Sequence, residues 1–357
     1  MTIKKKKSST VAKKIILERG SFMKENKASK VAKMDRHEIK VIEKFAAENL
    51  KKGLRIFVAG GSRSGNDAAY TEEAYLLGRK IASMGFKLDF GLSSRGIMGA
   101  VAKGVLSVYE EKGMLGKGAE SPVNAITTDM YLSFYENDKI LSQVGDLIVA
   151  KTLEERKNML LKADFVVFAP GGMGTLDELV YDCVAMQDGM IPAKPFIMYN
   201  TKGYFYHLME YLKEIVGKEF ADNMPFIVVD NCDEAEIVFE MLKDNKFKKR
   251  DLPTIYDNVR ESIYMLPYVL RQKKNFPDAT VKEILDDIKD AQRKGRKEEK
   301  LYLRAEIEQA YLEKEIMRMN ARVARAAKDV SQQGEKLEKL LDRMHRNSKI
   351  VEEIDII

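Results

Sequence analysis

The segment Pro170-Gly171-Gly172-Met173-Gly174-Thr175-Leu176-Asp177-Glu178 combines glycines, a hydroxyl and carboxylates in one short run. The apolar residues Phe165 to Ala169 before it read as a buried strand, and Leu179 to Met186 after it read as a helix. A glycine-rich turn between a parallel strand and a helix presents bare backbone N–H groups at a helix N-terminus, a geometry that suits a phosphate. Glu178 follows within the helix. A phosphate cradle beside an acid points to chemistry on a sugar phosphate. Alone, Glu178 reads equally well as an acid that complements the helix dipole.

Three other stretches carry polar or glycine-rich patterns. Gly60-Gly61-Ser62-Arg63-Ser64-Gly65 resembles a dinucleotide fingerprint, with Ser62 at the middle glycine. Asp89 stands near the end of the next strand, where a dehydrogenase would place a ribose-binding acid. Gly91 to Gly99 permits close approach of backbone to a ligand, or simply a tight turn. Glu154-Glu155-Arg156-Lys157 opens a helix; its two cations could hold a phosphate and offset developing charge, although by itself such a run suits a solvated face.

These positions need a scaffold that gathers them. Strands are predicted at 54–59, 86–90, 123–127, 146–150, 165–169, 194–199 and 226–229, with helices through about Met84, from about Gly96, over 153–162 and near 233–243. That alternation predicts an α/β fold: a doubly wound, Rossmann-like parallel sheet of about seven strands with helices on both faces. Ligands bind such sheets at the carboxyl ends of the strands, where the glycine loops fall. The expected organisation is a basic arm at 1–52, an α/β domain at 53–245, a helical linker at 246–300 and a long helix at 301–357. From Leu312 to Ile354 apolar residues recur in steps of four and three, a heptad frame that includes Gln333 and Asn347. This predicts a coiled coil with a partner helix, weakened locally at Gly334, or else a long amphipathic helix packed on its own domain.

Composition narrows the function classes. Of the net +6, residues 1–52 hold 16 Lys/Arg against 6 Asp/Glu, so the remainder is acidic. The basic character is an arm rather than a nucleic-acid-binding body, and nucleic acid is not the expected partner. No apolar run is long enough to span a bilayer, so membrane insertion is not expected. The first residues lack the apolar core of a secretory signal. Cys183 and Cys232 make no disulfide framework, and His37, His207 and His345 are scattered, so no metal or other cofactor is expected and the cytoplasm is the expected compartment.

Arg156-Lys157, then Ala163-Asp164, an apolar strand and Pro-Gly-Gly-x-Gly-Thr-x-x-Glu together resemble the LOG ("Lonely guy") family, whose members are often labelled lysine decarboxylases. The resemblance covers about 54–243, including Gly60 to Ser62 and Gly96-Ile97-Met98-Gly99. It implies a phosphoribohydrolase that cleaves a nucleoside 5′-monophosphate, AMP-like or a cytokinin riboside monophosphate, into base and ribose 5-phosphate. It implies Arg156 and Glu178 as catalytic residues, and Gly60, Ser62, Lys157, Gly171, Gly172, Gly174 and Thr175 as substrate-binding. It also implies a homodimer or higher even oligomer. Where relatives carry Tyr-Gly-Gly-Gly this chain has Phe90-Gly91-Leu92-Ser93, and Tyr181 replaces a second glutamate; side chains at 92 and 93 narrow access to the ligand. A nucleotide sensor or scaffold of little turnover, acting through the arm and coiled coil, is the alternative. A pyridoxal decarboxylase finds no recognisable cofactor lysine.

Overall fold

The structure is a computed structural model that describes residues 53–115, 121–135, 139–191, 194, 196–221, 226–242 and 266–354, with side chains as far as Asp342. The expected basic arm at 1–52 and residues 246–265 of the expected linker lie outside the described residues. The chain divides into two compact units, Met1–Glu308 and Gln309–Ile357.

The first unit is built on seven parallel strands. They are β1 (Arg55–Ala59), β2 (Lys87–Phe90), β3 (Val123–Thr128), β4 (Leu147–Ala150), β5 (Phe165–Phe168), β6 (Phe196–Tyr199) and β7 (Phe226–Val229). Their spatial order is β4-β3-β2-β1-β5-β6-β7, every pair parallel. The chain therefore runs outward from β1 to β4, returns to the middle at β5, and runs outward the other way. That reversal opens a crevice between the carboxyl ends of β1 and β5.

The connecting helices are α1 (Ala68–Ser83), α2 (Gly96–Glu111), α3 (Asp129–Leu132), α4 (Leu153–Leu160), α5 (Met173–Gln187), α6 (Tyr206–Gly217) and α7 (Cys232–Leu242). The central strands read as unbroken apolar runs because both of their faces are covered. Phe165 meets Phe86 and Phe239 on one face, while Phe168, Phe196 and Phe226 stack on the other with Leu179 and Cys183 of α5. Helix α6 has no counterpart among the helices read from sequence. It is amphipathic but buries only Met209 and Leu212, so its apolar signal is thin. Beyond the sheet, α8 (Leu266–Asn275) and α9 (Val281–Lys294) precede α10 (Lys297–Ile354), which runs unbroken through Gly334. No described helix is long and apolar enough to cross a membrane.

Helices α1 and α2 lie unusually close. A Cβ at Gly78 would sit 2.1 Å from the Val101 carbonyl oxygen, and one at Gly104 would sit 2.1 Å from that of Tyr75. Across the same seam Arg79 holds Glu111 through both carboxylate oxygens. Because these helices open from the loops after β1 and β2, their packing sets where those loops stand. Gly78→Ala is expected to force the helices apart and destabilise the chain by about 1–3 kcal/mol, read as a lowered denaturation midpoint.

Candidate active site

The crevice between β1 and β5 holds a cavity of about 570 Å³. Its walls come from the loop Gly60–Asn66 after β1, Gly91 and Leu92 after β2, Tyr131 and Tyr135 after β3, Arg156 of α4, and Pro170–Thr175 with Glu178 after β5. The two glycine loops touch. Gly61 N–H donates to the Pro170 carbonyl at 3.0 Å, and Ile97 N–H donates to the Gly61 carbonyl at 2.8 Å. The approach needs bare backbone: a Cβ on Gly171 would lie 2.1 Å from Thr175 Oγ1 and 2.8 Å from the Gly61 nitrogen.

Helix α5 begins after Gly172, and no side chain caps it. The N–H groups of its first turn are left for whatever enters the cavity, and the positive end of the helix dipole points the same way. An anion is the natural occupant.

Below this turn Arg156 and Glu178 meet. Arg156 Nη1 donates to Glu178 Oε1 at 2.9 Å, and Nε donates to the Ile126 carbonyl of β3 at 3.0 Å. The guanidinium lies 5.7 Å from the Tyr131 ring centroid. Its approach requires Gly91, where a Cβ would stand 2.2 Å from Arg156 Nη2. Both side chains are nearly enclosed, at 10% and 12% exposure. Burial pushes the Glu178 carboxyl above the ordinary glutamate range, against the pull of Arg156. One turn on, Asp182 is buried, with Oδ2 lacking a hydrogen-bond partner. Burial first, then the Glu178 charge, raise its carboxyl to about 8, while Lys194 and Lys157 pull the other way.

Gly60, Ser62, Gly171, Gly172, Gly174, Thr175, Arg156 and Glu178 thus line one cavity. Lys157 does not. Its Nζ reaches both carboxylate oxygens of Asp177 at 3.1 Å and lies 4.3 Å from the Tyr181 ring centroid, outside the cavity lining. Its place next to Arg156 in sequence sends it to another face of α4. Asp89 is also not a ribose acid. It is fully buried within β2, paired with Arg55 at 3.2 Å and accepting from Asn124 Nδ2 at 3.1 Å. Among the described residues no group of three or more His, Cys, Asp or Glu side chains could hold a metal ion.

Sequence reasoning missed the tyrosines. Tyr70, Tyr131, Tyr135 and Tyr204 all line the cavity. Tyr70 and Tyr204 meet edge to face, 5.8 Å between centroids, and the Tyr204 hydroxyl donates to the Gly171 carbonyl. For Tyr131 and Tyr135 a signal existed: both closely follow a parallel strand's carboxyl end. Leu92 is a further surprise. It is fully buried with φ +62, the left-handed backbone that suits glycine, so this chain keeps the glycine geometry under a branched side chain.

The chain is similar to known proteins over much of its α/β unit. A family model described as possible lysine decarboxylase matches residues 98–242, a span that contains Arg156 and Glu178. A probable cytokinin riboside 5′-monophosphate phosphoribohydrolase, LOG4 of Oryza sativa subsp. japonica, is 27% identical over 205 residues, 56% of this chain and 83% of its own length. Cytokinin riboside 5′-monophosphate phosphoribohydrolase LOG2 of Arabidopsis thaliana is 25% identical, over 60% of this chain and 95% of its own. Among solved structures, the molybdenum cofactor carrier protein of Chlamydomonas reinhardtii is 19% identical, with 54% of this chain and 99% of the carrier covered at a TM-score of 0.39.

Asp182 makes stability depend on pH. Unfolded, it ionises in the ordinary aspartate range; folded, it keeps its proton to about 8. Between those values the folded chain binds the extra proton, so the side chain's contribution to stability falls as pH rises through the window and is level above it. Asp182→Asn is expected to remove that dependence. In denaturant melts the variant should gain on wild type by up to a few kcal/mol between about pH 5 and about pH 8.

Proposed function

We propose that this chain hydrolyses the N-glycosidic bond of a nucleoside 5′-monophosphate, giving free base and ribose 5-phosphate. The observation that carries the reading is the Arg156–Glu178 pair, set in the same cavity as the uncapped N-terminus of α5. The 5′-phosphate would take the N–H groups of the glycine turn. Glu178 lies five residues into α5, about 7.5 Å along its axis from that end, so the ribose bridges the two.

Cleavage breaks the bond from C1′ to the base nitrogen and leaves an oxocarbenium-like sugar, which a carboxylate stabilises. Water adds its oxygen to C1′, and a proton goes to the departing base. The Glu178 carboxylate suits the first role through its charge. Its raised affinity for a proton suits it equally to accept one from the water. Arg156 holds that carboxylate through Nη1 while its Nε is anchored on the Ile126 carbonyl. The tyrosines that line the cavity, Tyr70, Tyr131, Tyr135 and Tyr204, are suited to pack against a base. Substrates of the AMP type, including cytokinin riboside monophosphates as the relatives' names specify, fit this description.

The reading includes assembly into a homodimer or higher even oligomer in the cytoplasm. Leu147, Ile148 and Val149 of the edge strand β4 are exposed by about 40%, and Met130, Phe134 and Leu153 are exposed as well, apolar surface available to a second copy. The sensor alternative draws on Leu92, whose side chain occupies space at the cavity that glycine would leave open.

Base release from a panel of nucleoside monophosphates, followed by chromatography, decides between them. Wild type is expected to release base from at least one nucleotide. Glu178→Gln and Arg156→Ala are each expected to lower turnover by about 100-fold or more. Melting shifts with the same nucleotides would show that the variants fold and bind. Nucleotide-dependent melting shifts in wild type without any base release would sink the hydrolase and favour the sensor.

A further inference from the structure

We infer that the second unit pairs with the same unit of a second copy, antiparallel and in one defined register. Along α10 the heptad positions Leu312, Ile316, Met319, Val323, Val330, Leu337 and Leu340 are all more than half exposed. They form one stripe with Ala326 and Gln333, which are exposed as well. Apolar residues in a sustained four-three repeat are the seam of a coiled coil, and among the described residues nothing covers this one.

The charges beside the seam choose the occupant. One flank carries Glu315, Arg322, Asp329 and Lys336 at seven-residue intervals. In an antiparallel pair this flank faces itself, and centring the seam midway between Met319 and Val330 matches every member. Glu315 then meets Lys336 of the second copy, and Arg322 meets its Asp329; symmetry repeats both contacts. The same register stacks Leu312 on Leu337, Met319 on Val330 and Val323 on Ala326 across the seam. Gln333 falls opposite Ile316, toward the end, where its amide can reach water.

The other flank brings no like charges together, since Asn320 meets Ala327 and Glu313 meets Gly334. Sliding one helix by a heptad either way brings Asp329 against Asp329 or Arg322 against Arg322. A parallel pair would set the four charges against Asn320, Ala327, Gly334 and Leu341, which offer no partner. Only the antiparallel self-pair uses all of them. Within its own helix Glu315 also accepts from Arg318 at 3.0 Å.

Site-directed cross-linking of the full chain tests this, in a Cys232→Ala background that leaves only the buried Cys183. Met319→Cys and Val330→Cys are made in separately tagged chains and oxidised gently, alone and mixed. The expected result is a cross-link between the two tags in the mixture and little in either variant alone. Self-cross-linking of each variant would mean parallel pairing and overturn the inference. So would the absence of any cross-link in chains whose melting matches wild type. Adding Glu315→Lys to both chains should cut the mixed cross-link by about fivefold, and adding Lys336→Glu as well should restore it. Insensitivity to both charge changes would also refute the register.

Discussion

The ion pair between Arg156 and Glu178 is the contact on which the rest of the site depends. It joins α4 to α5 at the carboxyl edge of the sheet, and the Arg156 Nε bond to the Ile126 carbonyl ties both to β3. Removing one partner of such an enclosed pair leaves an uncompensated charge, a loss of about 3–5 kcal/mol. Nearby geometry follows from the need to fit it. Gly91 lacks a side chain where the guanidinium passes, and Tyr131 turns its ring toward the charge. The pair is also where local electrostatics and chemistry meet: burial raises the proton affinity of Glu178 while Arg156 keeps its carboxylate form accessible.

Much of this was legible in the sequence. The strands were found because a doubly covered parallel sheet writes itself as short apolar runs, and Phe165 to Phe168 is one. The turn after β5 was found because glycines packed that densely at a strand's end have few other uses. Arg156 and Glu178 were found through the spacing of the whole motif, since each reads alone as a surface charge. What sequence could not carry was direction. Lys157 adjoins Arg156 but points to Asp177 and Tyr181, because successive helical residues are rotated by about 100°. Asp89 reads as a strand-end acid, yet its pairing with Arg55 depends on strand register that no local pattern records. The tyrosine walls come from several loops, so no single stretch displays them.

Leu92 shows the limit of reading substitutions as losses. A branched side chain in place of glycine suggests a rebuilt loop, but the backbone there keeps the left-handed geometry, and the side chain is wholly buried. The strain is borne by the surroundings, which hold the loop between β2 and α2 in place.

The two ends of the sheet are built on different terms. At the amino end Arg55 takes Asp89 with its guanidinium and Asp164 with its backbone N–H, Asn124 bridges Asp89 to the Asp146 amide, and Lys194 grips the Leu161 and Ala163 carbonyls. This lattice fastens β1, β2, β3 and the segments leading into β4 and β5 without touching the cavity. Foundation and workshop are thus separate. The loops over the carboxyl end can change in size and polarity while the strands beneath stay registered, which gives one scaffold room to accommodate different ligands over evolutionary time.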